Sequence, residues 1–194
     1  MTTVTSCSSG NEDKESVVIN GIRWATRNVD TPGKFAASSE DAGMFYQWNR
    51  KIGWSVTDPI INSNGGSTWD DSYSDGETWE KANDPSPAGY RVPTELELAS
   101  LLNDNKVNSE WITQNGVFGR RFTDKDNGNF IFLPAAGYRD FRNGTLRDVG
   151  AIGKYWSLTW YGAYDIAYLH FYSGNANLSR YDKTSGHSVR PVAK

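Results

Sequence analysis

Ala167-Tyr168-Leu169-His170-Phe171-Tyr172-Ser173-Gly174-Asn175-Ala176-Asn177-Leu178 is the stretch on which the reading of this chain turns. Successive side chains of a strand point to opposite faces. The alternation over Ala167 to Tyr172 therefore predicts a strand with Leu169 and Phe171 in a core and Tyr168, His170 and Tyr172 in solvent. Asn175 to Leu178 reads as the next strand. If Asn175 and Asn177 start it on the same face, they extend the exposed row.

Working outward, Ser188 to Val192 and Tyr155 to Thr159 read as flanking strands, and the apolar run Asn129 to Ala136 as a buried one. Arg142-Asn143-Gly144-Thr145 is a turn. Near the start, Val17-Val18-Ile19-Asn20-Gly21-Ile22-Arg23-Trp24 reads as two strands around an Asn-Gly turn, the strongest short hairpin signal. Two helices are expected between these regions. Ser38 to Arg50 has a Ser38/Asp41 capping box, with Ala42, Phe45 and Trp48 on one face. Thr94 to Leu102 has a Thr94/Glu97 box before a stripe of Leu98, Leu101 and Leu102. Residues 51–92 are irregular, and Trp54, Trp69, Tyr73 and Trp79 mark them as packed loops rather than a linker. Hairpin, helix, loops, helix and a run of strands make an α+β domain.

The bulk numbers agree with one globular domain. The chain has 194 residues, 37% of them apolar, and eight Trp, ten Tyr and eight Phe supply large buried area. A net charge of -3 with mixed signs gives no basic face for nucleic acid. No apolar run approaches membrane-span length.

Cys7 is the single cysteine, so neither an intrachain disulfide nor a cysteine-based metal site can form. Thr5-Ser6-Cys7-Ser8-Ser9-Gly10, followed by Asn11-Glu12-Asp13-Lys14-Glu15, resembles the start of a mature bacterial lipoprotein with an acylated Cys7. The six residues before Cys7 cannot supply a signal peptide, which this reading takes as trimmed and replaced by Met1. The alternative is a free thiol in a disordered tail. The organisation expected is a disordered tail or lipid tether over residues 1–16 and a single domain over 17–194.

Catalytic and metal patterns fare poorly. Asp71-Ser72-Tyr73-Ser74-Asp75-Gly76 fails as an EF-hand, with Tyr73 at the third loop position and Ala82 at the twelfth. For Asp70, Asp71, Asp75 and Glu77 a solvated acidic loop is the better reading than a looser calcium site. His170 and His187 are the only histidines and carry no metal-ligand spacing. No GxSxG, GxGxxG or Walker motif is present. A spatial pair of carboxylates for glycoside hydrolysis is not something a sequence reveals.

Several segments together carry a resemblance. They are Ile19-Asn20-Gly21-Ile22-Arg23-Trp24-Ala25-Thr26-Arg27-Asn28-Val29, Asp41-Ala42-Gly43-Met44-Phe45-Tyr46-Gln47-Trp48-Asn49, Pro87-Ala88-Gly89-Tyr90-Arg91-Val92-Pro93-Thr94, Phe132-Leu133-Pro134-Ala135-Ala136-Gly137-Tyr138-Arg139, Tyr155-Trp156-Ser157 and Ser188-Val189-Arg190-Pro191-Val192. From Val17 to the C-terminus the chain resembles the FISUMP family, the major paralogous domain of gut-type anaerobic bacteria. That resemblance implies a C-type-lectin-like fold and an exported, surface-anchored protein. Gly89-Tyr90-Arg91-Val92-Pro93-Thr94-Glu95 is also similar to formylglycine-generating enzymes of the same fold, but the cysteines of that chemistry are absent. Arg91, Trp156 and Arg190 are expected to hold core and turns together.

The last forty residues hold six of the ten tyrosines and both histidines, and Tyr161 to His187 contains no Glu, Gln, Met or Trp. This resembles the variable region of proteins diversified by retroelements, where randomised adenines turn an Asn codon into Tyr, Asp, His, Ser or Arg but never into Glu, Gln, Met, Trp or Lys. Lys183 is the exception. Strands favour Tyr in any case, which is the simpler account of the composition. Tyr with Ser and Asn suits recognition, as in antibody paratopes.

The expected binding residues are Tyr161, Tyr164, Asp165, Tyr168, His170, Tyr172, Asn175, Asn177, Arg180, Tyr181, Asp182 and His187. The expected protein is a monomeric, surface-displayed binding domain and not an enzyme. It takes a protein or glycan ligand, needs no cofactor, binds no nucleic acid, and meets the bacterial outer membrane only through a lipid on Cys7. The alternatives are an enzyme of the formylglycine-generating or glycosidase type, and a structural surface or pilus component.

Overall fold

A computed structural model describes residues 15–162 and 164–194; Cys7 and the lipidation expected of it lie outside them. Asn20 and Gly21 both take the left-handed conformation, at φ 45° and 79°, as a two-residue hairpin turn of this type requires. They join β1 (Ser16–Ile19) to β2 (Ile22–Ala25), with Val17 opposite Trp24. The last strand, β14 (Val192–Ala193), pairs with β2 and with β5 (Tyr90–Arg91). The order β1-β2-β14-β5 therefore gathers both ends of the domain into one sheet.

The other strands form small sheets of their own. β3 (Phe45–Tyr46) pairs with β4 (Gly53–Trp54). β6 (Val107–Gln114), β7 (Val117–Asp124) and β8 (Phe130–Pro134) form a meander. β9 (Tyr138–Arg139) pairs with β10 (Leu146–Arg147). A second meander holds β11 (Gly153–Trp160), β12 (Asp165–Phe171) and β13 (Ala176–Asp182). All these pairings are antiparallel.

The expected two-helix α+β, C-type-lectin-like architecture is overturned: the described residues hold small antiparallel sheets and one short α-helix, α1 (Glu95–Ser100). That helix carries the predicted capping box, with Thr94 accepting from the Glu97 amide while Glu97 accepts from the Thr94 amide. The helix expected over Ser38 to Arg50 does not form. Asp41 donates its amide to Ser38 Oγ, but this closes only a local turn. Gly43 sits at φ 69°, and any side chain there would meet the Val29 carbonyl at 2.2 Å. The Met44 amide is held by that same carbonyl, so the chain leaves Gly43 extended into β3. Phe45 and Trp48 are both buried even so, from a strand and a turn.

Two cores result. One gathers Ile19, Trp24, Leu98, Leu101, Phe122, Leu133, Tyr155, Leu169 and Phe171; the other Val29, Tyr46, Trp48, Val92, Trp156, Ile166, Tyr168 and Val189. β12 is the middle strand between β11 and β13 and sends alternate side chains into each. The Arg190 guanidinium, wholly buried, bonds Asn28 Oδ1 and the carbonyls of Ala25 and Phe132, and Trp156 Nε1 donates to the Tyr46 carbonyl. Arg190 ties its loop to two strands, and Trp156 ties β11 to β3.

Candidate functional site

Cross-strand pairing sets the site. Trp156 lies opposite Tyr168 and Lys154 opposite His170 across β11 and β12; Tyr168 faces Ser179 and His170 faces Asn177 across β12 and β13. Directly opposed residues share a face. One face of this meander therefore carries Lys154 and Trp156, then Tyr168 and His170, then Asn177, Ser179 and Tyr181.

The Trp156 end of that face is covered. The His187 ring stacks on Trp156 at 3.8 Å and lies 4.8 Å from Tyr168. His187 is 0% and Tyr168 4% exposed. The expectation that these two are exposed binding residues is corrected: strand alternation placed Tyr168 off the first core, but the chain around Tyr46, Trp48 and Val189 builds a second core over it. Both belong to the floor of the face.

The other end opens. Tyr172 is 44% exposed, Asn177 is exposed and His170 opposite it is half-buried; Tyr181, opposite Ile166 on the far side of Tyr168, is half-buried too. Ring centroids run in a continuous row: Tyr172 to His170 at 5.9 Å, His170 to Tyr168 at 6.2 Å, Tyr168 to Tyr181 at 6.2 Å, and Tyr181 to Tyr138 and Phe141 at 6.2 and 6.0 Å.

Lys154 sits in the middle of this row, 6% exposed. Its Nζ lies 3.5 Å from the Tyr138 ring centroid, 4.0 Å from that of Tyr181 and 5.5 Å from that of Tyr168. Among the described residues its ammonium has no ion-pair or hydrogen-bond partner. Burial pulls its pKa down to about 8, against an upward pull from the Asp148 and Asp140 charges. Burial drives His187 well below its ordinary value, and the charges of Lys154 and His170 push the same way. Burial and Lys154 also lower His170, with Asn177 pulling it back. Tyr138 is raised to about 12, chiefly by burial.

A second group of the predicted residues gathers at the far end of the β12–β13 pair, where Asp165 faces Asp182. The Arg180 guanidinium lies 3.7 Å over the Tyr161 ring, and the Tyr161 hydroxyl donates to Glu95 at 2.5 Å. Tyr73 donates to Asp182 at 2.9 Å and its ring lies 4.7 Å from Tyr164. Asn175 is exposed in the connection, its carbonyl accepting from the Tyr172 amide. The predicted residues thus divide into two patches and a floor.

Sequence reasoning missed Lys154, Tyr138, Phe141, Tyr73 and Glu95. Lys154 was within reach: extending the Tyr155 strand back by one residue puts a lysine on the same face as Trp156.

A separate cleft of about 460 Å³ is lined by Trp79, Tyr90, Arg91, Val92 and Leu158, and none of the predicted site residues borders it. Its Arg91 is already paired with Glu97 at 2.6 Å. Among the described residues no group of three or more His, Cys, Asp or Glu side chains could hold a metal ion. Asp70, in the acidic loop, is engaged by Arg50 and Ser72.

One family comparison matches. A family described as a domain of unknown function (DUF8237) covers residues 118–192. That span takes in β7 to the start of β14, and so the whole aromatic row with Lys154 and His187; Tyr73 and Glu95 fall outside it. No curated protein and no solved structure matches the chain.

Proposed function

We propose that this chain is a recognition protein whose ligand meets the open end of the β11–β12–β13 face. The observation that carries the proposal is the chain of aromatic contacts from Tyr172 to Tyr138, exposed at Tyr172, half-buried at His170, Tyr181 and Tyr138 and anchored on buried Tyr168, with a nearly buried lysine beside it that has no ion pair among the described residues. Aromatic rings give large contact area at low entropic cost, while Asn177 and Ser179 offer hydrogen bonds beside them. A rigid strand scaffold suits such a surface better than loops do. The ligand is a glycan or a protein.

The resemblance to retroelement-diversified segments extends the proposal. Lys183, the one residue type in the segment that adenine randomisation cannot yield, is 6% exposed and donates Nζ to the Ser74 carbonyl, as a fixed structural position would. The residues available for variation are the exposed ones. The proposed setting is the surface of a bacterial cell, tethered through Cys7. A gene beside a reverse transcriptase and a near-repeat of its own 3′ end would support the diversification, and isolates that vary equally at floor and face would refute it.

The direct test is an array of glycans and of surface proteins probed with the intact protein and with Tyr172→Ala, His170→Ala and Asn177→Ala. The proposal expects a ligand whose binding falls at least about tenfold in these variants while folding is retained. Ligands that bind the variants as well as the parent would refute it.

A further inference from the structure

Lys154 has a feature that neither packing nor an internal ion pair accounts for. An ammonium carries three donors and no acceptor. Here it is 6% exposed and surrounded by the ring faces of Tyr138, Tyr168 and Tyr181. Ring faces attract the charge but supply no oxygen to its N–H groups. Every element around it brings titratable groups: Tyr138 from β9, Asp140 and Arg142 from the turn after it, Asp148 following β10, Tyr168 and His170 from β12, Tyr181 from β13, and His187 from the segment over Trp156. Asp140 and Asp148 act on the lysine only through space, and neither forms an ion pair with it. Arg142 lies over Phe141 at 4.8 Å, at the edge of the same row. A buried cation is costly unless it is paired, and this one is left without an anion at the centre of an otherwise built surface.

We infer that the niche at Lys154 is a subsite for a carboxylate, and that its ligand is an acidic sugar whose ring lies on the tyrosine row. The inference rests on the recognition reading above and names the ligand class for that site. The carboxylate supplies the oxygen that the lysine lacks. The apolar face of a pyranose covers tyrosine rings, and its hydroxyls meet Asn177, Ser179 and the tyrosine hydroxyls. A neutral sugar would satisfy the rings and leave the ammonium as it is. An acidic peptide would satisfy the ammonium but make little use of the ring faces beside it.

The test titrates the intact protein with glucuronate, glucose, acetate and an oligo-aspartate peptide, read by calorimetry and by the NMR signal of the Lys154 side chain. Glucuronate is expected to bind, glucose and acetate at least about tenfold more weakly, and Lys154→Met to weaken glucuronate by about tenfold or more. Affinity should fall as pH rises from neutral through the Lys154 value of about 8. Bound glucuronate should raise that value in the unaltered protein, a readout that does not depend on a variant folding. Equal binding of glucose and glucuronate overturns the inference, as does a Lys154 signal that ignores bound glucuronate. Binding of the peptide in place of the sugar acid overturns it too. If glucuronate fails while another array ligand binds and depends on Tyr172, the sugar-acid assignment falls and the recognition face stands.

Discussion

Tyr168→Ala and Tyr172→Ala should part company, although the two residues stand four apart in sequence and both were read as exposed. Tyr168 is 4% exposed, with Trp156 at 6.0 Å, His187 at 4.8 Å and Tyr181 at 6.2 Å. A buried tyrosine removes about 150–250 Å² from water. At about 25 cal/mol per Å² that is roughly 4–6 kcal/mol as an upper bound. Alanine keeps a small part of it, and releasing the phenol oxygen from a half-dry site returns some more, leaving a loss of about 3–4 kcal/mol. Tyr172 is 44% exposed and lies at the end of the row. Its truncation should cost less than about 1 kcal/mol. Urea denaturation followed by tryptophan fluorescence measures both, with equal slopes checking that the transition stays two-state. A Tyr168→Ala loss below about 1 kcal/mol, or equal losses at the two positions, would refute the division of the face into floor and display.

Other consequences are as specific. His187 is held neutral because burial lowers its folded pKa below the ordinary 6.5, so its contribution is complete above that value and is lost as pH falls below it; His170 is shifted the same way. Stability from pH titrations should therefore drop on acidification through this window, and His187→Phe should flatten the drop. Gly137 sits at φ 77° with the Arg147 carbonyl 2.1 Å from where a Cβ would go; Gly137→Ala should lower stability by more than about 2 kcal/mol in calorimetry. Thr94→Ala removes the cap of α1 and should cost about 1 kcal/mol in urea, leaving ligand binding on the row unchanged, because α1 packs with Leu169 and Phe171 on the opposite face of β12.

Much of the fold was legible where local chemistry decides. Asn20-Gly21 announced its hairpin, and Thr94 with Glu97 announced α1. The same rule applied to Asn115-Gly116, at φ 47° and 84°, would have found β6 and β7. Their side chains are mostly half-buried, so no clean apolar alternation drew attention to them. The Ser38 to Arg50 helix failed for a tertiary reason: the spacing of Ala42, Phe45 and Trp48 fits a helix, but the approach of Gly43 to Val29 forces an extended path that no local pattern encodes.

The site was legible by half for a related cause. Alternation told correctly that Leu169 and Phe171 face one core. It could not tell that the opposite face of a middle strand meets a second core at Tyr168 and open solvent at Tyr172. That depends on where His187, remote in sequence, comes to rest. Lys154 lay one residue outside the strand that was read, and its significance lies in the missing counter-charge, which only the assembled face displays.

The central claim is that a ligand meets the open end of the aromatic row. Ring-labelled tyrosine spectra test it most directly, with signals assigned by single Tyr→Phe variants and an array-selected ligand added stepwise. The account predicts that Tyr172, Tyr181 and Tyr138 shift with the ligand while Tyr46 and Tyr155, buried away from the opening, stay still. Movement of Tyr90, beside the separate cleft, with Tyr172 and Tyr138 unmoved would place the ligand elsewhere and contradict it.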